Sequence, residues 1–202
     1  MKLFFDLETI PASDDLRKAA TESERSKWKN RDFVEDDEAL YRASALSGNF
    51  GRIFCIGYAF DNNPTQVIKG KERDILIKWW GIAARATKFI GHNIINFDIP
   101  FLYKRSIVHR CSPSQMLPIK NFETDNIYDT DKQWNRWVYQ SSIKLHHLAI
   151  TLGLPSSKDG GIDGSQVYDF YLKGQHQQIY DYCKRDVELT RKIYKRMTFE
   201  PL

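Results

Sequence analysis

Apolar positions recur along the chain at two spacings, and the changes between them mark out its elements. Residues 2–10 (KLFFDLETI) hold Leu3, Phe4, Phe5 and Leu7 in a short aromatic-rich run that stops at Pro11. A run of this length closed by proline reads as a buried strand rather than a helix. Residues 52–60 (RIFCIGYAF) are β-rich and almost wholly apolar, and read as a central strand. The Asp61-Asn62-Asn63-Pro64 turn leads to a third strand over 65–69, so the first three strands form a meander. From residue 72 the spacing changes. Ile75, Leu76, Trp79, Trp80 and Ala83 recur at helical intervals and predict an amphipathic helix over 72–86, with both tryptophans in the core. A short strand follows at 88–91. Phe97, Phe101, Leu102 and Arg105 then return to helical spacing, which sets Asp98 early in a helix. Residues 127–129 read as a strand end or turn. Residues 144–152 read as a helix stopped by Gly153 and Pro155, 165–172 as a short helix and 175–197 as a long terminal one. A meander followed by alternating helix and strand is an α/β order with a mixed central sheet flanked by helices.

One segment interrupts this order. Residues 11–51 separate the first two strands, and helices are expected in it over 16–29 and 35–46. About forty residues is long for a connection, and insertions of that size are lids, binding loops or decoration. Decoration and substrate lid are equally compatible with the residues present. The stretches 111–121 and 157–164 read as loops.

Bulk properties narrow the class. A chain of 202 residues with 42% hydrophobic content can bury a core as one domain over 1–202. The formal charge of +4 is compatible with a polyanionic partner without requiring one. No apolar run approaches the ~20 residues of a membrane span, and the chain enters a strand at once, so neither a membrane segment nor a signal peptide is expected. Cys55, Cys111 and Cys183 are odd in number and form no Cys-x-x-Cys pair. They read as reduced thiols in a cytoplasmic protein.

The candidate chemistry is acidic. Asp6 and Glu8 lie two apart on the first strand and so face one side together. Two unit charges ~4 Å apart repel by about 4 kcal/mol at an effective dielectric near ~20. In a core the pair needs shared protons or a cation, and carboxylates are what hard divalent ions take. The plainer alternative is a solvated strand end. In the terminal helix, Ile179, Tyr182, Cys183, Val187, Thr190, Ile193 and Tyr194 define a buried stripe. Asp186 lies within it, one turn after Tyr182, and a buried acid there needs a partner. Asp98 could be a helix-dipole partner, and Asn93 a cap or turn residue. Residues 131–140 (DKQWNRWVYQ) interleave rings with cations, which suits either single-stranded nucleic acid or a well-packed edge. His146 and His147 are adjacent, point different ways and make a poor joint metal site.

Three segments, FDLET, GHNIINFDIPFL and YCKRD, resemble the three motifs of the DEDD exonuclease superfamily in order and approximate spacing. The last is similar to the tyrosine version, Tyr-x-x-x-Asp, as Tyr182 and Asp186; the histidine version would need His at position 181, which is Asp. The flanking segments GRIFCIGYAF and LHHLAITLGLPSSKDGGIDGSQVYDFY resemble the predicted exonucleases related to the proofreading domain of family B DNA polymerases. The resemblance spans most of the chain apart from 11–51. It implies a ribonuclease-H-like fold and a metal-dependent 3′–5′ exonuclease. It further implies that Asp6, Glu8, Asp98 and Asp186 hold two divalent ions, Mg²⁺ or Mn²⁺. Tyr182 would orient the attacking water, Asn93 and Phe97 would shape the pocket of the terminal nucleotide, and the backbone near Glu8 and Thr9 would meet the 3′ hydroxyl. The implied partner is nucleic acid, with single-stranded DNA favoured over RNA. A catalytically silent binding module is the alternative of another class. Nothing in the residues points to a protein partner.

Overall fold

The computed structural model describes residues 1–27, 36–117, 126–156 and 161–201. Its centre is a five-stranded mixed sheet. The strands are β1 (Lys2–Ile10), β2 (Arg52–Phe60), β3 (Gln66–Lys69), β4 (Lys88–Gly91) and β5 (Ile127–Asp129), in the spatial order β3-β2-β1-β4-β5. The first three pair antiparallel, as the meander predicts. β4 joins β1 in parallel and β5 joins β4 in parallel. β1 is therefore central, with neighbours on both edges and helices on both faces.

The helices are α1 (Arg17–Lys27), α2 (Asp37–Ala43), α3 (Glu72–Ala83), α4 (Asp98–Val108), α5 (Thr130–Trp134), α6 (Leu145–Thr151), α7 (Val167–Leu172) and α8 (His176–Met197). The two-residue period of β1 divides its side chains between the two layers. Leu3, Phe5 and Leu7 enter the main core with α3 and α4, where Trp79 is fully buried and its ring lies 4.8 Å from that of Phe5. Phe4 faces the other way and joins Val187 and Tyr194 of α8. Asp6 and Glu8 continue that second row. The same alternation that builds the core thus aims both acids at the terminal helix.

α8 buries the stripe expected of it, Asp186 included. It lies close on the sheet because residue 57 of β2 is glycine. A Cβ there would sit 2.8 Å from Cys183 Sγ and 3.1 Å from the Cys183 carbonyl oxygen. The Gly57 N–H instead donates to Cys183 Sγ at 3.1 Å.

Several boundaries differ from the sequence expectation. The helix expected over 72–86 ends at Ala83, because the chain must turn to enter β4. Only Thr130–Trp134 of the ring-and-cation run is helical, and Arg136, Trp137 and Gln140 take positive φ. That breaks the run apart: Trp137 packs on the main core while Tyr139 is exposed. Segment 11–51 contributes α1 and α2, the latter closed by a 3-10 turn at Ser44–Leu46. The helical expectations at 28–29 and 35, and the loop expectations at 118–121 and 157–160, lie outside the described residues. Among the described residues no helix is long and apolar enough to cross a membrane.

Candidate active site

The site starts where β4 ends. β4 pairs with β1 only as far as Phe4 and stops at Gly91, so the backbone N–H of Leu7 has no strand neighbour. Asp98, the first residue of α4, fills that gap: its Oδ1 accepts the Leu7 N–H at 3.0 Å. This bond holds the middle acid against the strand that carries the first two. On the other side, the register of β1 against β2 shifts between Glu8 and Thr9. Bulges of this kind re-aim side chains beside sites.

α8 completes the cluster. Opposite Gly57 in the β1–β2 register lies Asp6, so the closest approach of helix to sheet falls beside the first acid. Tyr182 and Asp186, one turn apart, line one cavity with Asp6, Glu8, Thr9 and Phe97. Its volume is about 330 Å³. Asp6, Glu8 and Cys183 each bring one ligand-type atom within 4.8 Å of the others. The sequence pattern did not single out Cys183 as part of this neighbourhood. Its sulfur fills the space between helix and sheet, taking the Gly57 N–H and lying 3.6 Å from the Asp6 carbonyl oxygen. A hydrogen bond to Cys55 and burial push its thiol well up, so it is neutral.

Burial and like charge set the electrostatics of the cluster. Burial first, then the charges of Asp98 and Asp186, push the Asp6 carboxyl well above its usual range. Burial and Asp6 do the same to Glu8. Burial pushes Asp98 up to about 8, even though the Leu7 N–H favours its charged form. Tyr182 is raised far above a normal phenol by burial, then by Asp186, Glu8 and Asp6. Enclosed acids that raise one another in this way suit a cation as their partner. The donor set is all carboxylate apart from the neutral thiol, and carboxylates suit Mg²⁺ or Mn²⁺. The residues present therefore fit the ions that the sequence implied.

Asn93 plays a different part from Phe97. It has φ +59° and heads the turn that enters α4. Its N–H donates to Asp129 Oδ1 at 2.8 Å, and its side-chain oxygen accepts from Asn96 at 2.9 Å. It shapes the turn, and it is not among the residues lining the cavity. Asp129, at the end of β5, also accepts the Ile95 N–H at 3.0 Å and so fastens the approach to Asp98. Its position at a strand end was visible in sequence, but the partner turn was not.

Arg42, Ala45 and Leu46 also line the first cavity, from segment 11–51. A second cavity of about 290 Å³ shares Gly164, Ser165, Tyr182 and Asp186 with the first and adds Lys144 and His146. His146 Nδ1 lies 2.5 Å from Ser156 Oγ, which fixes its ring.

Comparison with known proteins gives a family and a fold. Residues 62–200 match the family model described as a predicted 3′–5′ exonuclease related to the exonuclease domain of PolB. No curated protein matches the chain significantly. Among solved structures, the family B DNA polymerase from the hyperthermophilic archaeon Pyrobaculum calidifontis aligns with a TM-score of 0.62 at 13% identity. The alignment covers 98% of this chain and 24% of the polymerase, so the chain spans about a quarter of that protein's length. The fold is ribonuclease-H-like, as the motifs implied.

Proposed function

The chain belongs to the family of predicted 3′–5′ exonucleases related to the exonuclease domain of PolB, and from that premise we propose that it releases nucleotides from the 3′ ends of single-stranded DNA. Asp6, Glu8, Asp98 and Asp186 hold two divalent ions, Mg²⁺ or Mn²⁺. The observation that carries this reading is the convergence of acids from β1, α4 and α8, with burial raising Asp6, Glu8 and Asp98 and the neighbouring acids adding to it at Asp6 and Glu8. Held by these residues, divalent ions would supply a lowered pKa for water and countercharge for the phosphate oxygens.

The chain's own groups do the rest. Tyr182 stays protonated at neutral pH, so its hydroxyl orients water as a hydrogen-bond partner and does not act as a base. Phe97 and Thr9 border the space for the terminal nucleotide. Asp129 holds the turn that delivers Asp98. Segment 11–51 acts at the site rather than as decoration, since three of its residues line the cavity.

The test uses labelled single-stranded DNA and RNA of one sequence, with Mn²⁺ and with EDTA. Stepwise shortening of DNA from its 3′ end with Mn²⁺ alone is the expected result. Shortening of RNA only would transfer the reading to an exoribonuclease. Shortening that persists in EDTA would overturn the role given to the acids.

A further inference from the structure

One donor beside the acids of β1 plays no part in the proposed nuclease chemistry. Cys183 Sγ lies 3.9 Å from Asp6 Oδ2, and one ligand-type atom from each of Asp6, Glu8 and Cys183 falls within 4.8 Å of the other two. In a tetrahedral zinc site, with Zn–S near ~2.3 Å and Zn–O near ~2.1 Å, sulfur and oxygen stand about 3.6 Å apart. The Asp6–Cys183 separation is close to that value.

The fold holds these donors from two sides. Asp6 and Glu8 share one face of β1. Gly57 stands opposite Asp6 in the β1–β2 register, and its N–H donates to Cys183 Sγ at 3.1 Å, which fixes the sulfur beside the first acid. Cys55 stands opposite Glu8 in the same register and hydrogen-bonds with Cys183, so a second thiol backs the first. Glu8 is 6% exposed and lines the cavity, yet among the described residues no hydrogen-bond donor meets its carboxylate. A buried carboxylate in that setting is open to a ligand in a way that a paired one is not. Donor type then separates two classes of ion. Mg²⁺ and Mn²⁺ suit oxygen and gain little from sulfur, whereas thiolate draws Zn²⁺ and its heavier relative Cd²⁺.

We infer that Asp6, Glu8 and Cys183 form a thiophilic cation site that takes Zn²⁺ and, when filled, withdraws Asp6 and Glu8 from the catalytic ions. The site stands on its own donors, and only its effect on turnover rests on the nuclease reading above. Zinc forms bonds to the sulfur and to the two carboxylates, the Cys183 thiol proton leaves to solvent, and no oxidation state changes. Asp98 and Asp186 lie outside this donor set. The acids of β1 are thereby shared between two uses, and zinc sets an off state.

The experiment uses the full chain, reduced with a phosphine so that no added thiol competes for metal. Cd²⁺ is the spectroscopic probe, since a cadmium–thiolate bond absorbs in the ultraviolet by charge transfer. Zn²⁺ affinity is read by competition with a chromophoric chelator. The wild type should give the cadmium band, and Zn²⁺ should displace it. Cys183→Ser should lose the band and bind Zn²⁺ at least about 100-fold more weakly, at or beyond the most that loss of a group merely orienting a ligand costs. Its Mn²⁺ affinity should change far less. The band should survive in Cys55→Ser and in Cys111→Ser, which identifies Cys183 without altering it. Zn²⁺ should also stop Mn²⁺-dependent shortening of single-stranded DNA by the wild type at concentrations that leave Cys183→Ser active. Absence of the band in the wild type, its persistence in Cys183→Ser, or its loss in Cys55→Ser or Cys111→Ser overturns the donor set. Zn²⁺ bound without effect on shortening overturns the off state. If the band and the Zn²⁺ affinities come out as expected but the wild type shortens no DNA with Mn²⁺, the zinc site stands and the nuclease reading falls.

Discussion

Two sets of enclosed acids among the described residues are treated in opposite ways. Glu72, at the start of α3, is enclosed with Arg105, which pairs both of its carboxylate oxygens at 2.8 Å. His109 lies 2.7 Å from the same carboxylate, and the Ile53 N–H donates to it at 2.8 Å. Burial alone would push Glu72 up, but Arg105 and these other groups hold it below its ordinary value. Across the sheet, burial pushes Asp6, Glu8 and Asp98 up, and for Asp6 and Glu8 the neighbouring acids add to it. Burial is common to both places, so burial does not mark function. What separates them is whether the fold supplies the countercharge. Around Glu72 it does, and the cluster fastens α3 to α4 and β2. Around Asp6 it supplies more acid, a setting that protons or a divalent ion would relieve.

The largest effect expected from this contrast is on turnover. Asp186→Asn should take Mg²⁺- or Mn²⁺-dependent nucleotide release to background, while the metal-free fold is retained or strengthened. Urea unfolding of the variant beside a nuclease assay checks both halves. Glu72→Ala should do the reverse. Removing one partner of a buried pair costs roughly 3–5 kcal/mol, so the unfolding midpoint should drop sharply while activity per folded molecule survives. A variant pair that swapped these outcomes would break the contrast.

A smaller effect should appear in the pH dependence of the metal-free protein. Asp98 is raised from 3.8 to about 8. An acid raised on folding stabilises below its unfolded value and loses that contribution as pH rises through its folded value. Stability should therefore decline between about pH 4 and pH 8, and Asp98→Asn should flatten the decline by roughly 1–3 kcal/mol. Added Mn²⁺ should raise the melting temperature more at pH 8 than at pH 5, since binding competes with protons. A rise independent of pH would mean that the ion binds elsewhere.

Much of this contrast was legible in the sequence, but unevenly. The acids of the site could be named because each departs from a local pattern: Asp6 and Glu8 in an apolar strand, Asp186 in a buried helical stripe. The strands and the long helix followed from the same periodicities. Glu72 gave no such signal, because an acid in the first turn of a helix is ordinary, and its partners stand 33 and 37 residues away. Leu46 and Arg42 were equally silent. Their segment has weak amphipathic character, and only the folded chain shows that its end returns to the cavity. The motif assigned Asn93 to the pocket, while its contacts to Asp129 and Asn96 had no signal in the sequence. Local pattern reveals a residue that is out of place; it does not reveal which distant residues answer it.

The missing side chain at Gly57 has a further consequence. It acts as a shim of zero thickness between two rigid slabs, one bearing Asp6 and Glu8 and the other bearing Asp186. A single added carbon would prise the slabs apart and widen the aperture that their oxygens frame. Mg²⁺ calls for oxygens at about 2.0–2.1 Å and Ca²⁺ tolerates about 2.3–2.6 Å. A Cβ at position 57 should therefore shift the proposed site from the smaller ion toward the larger.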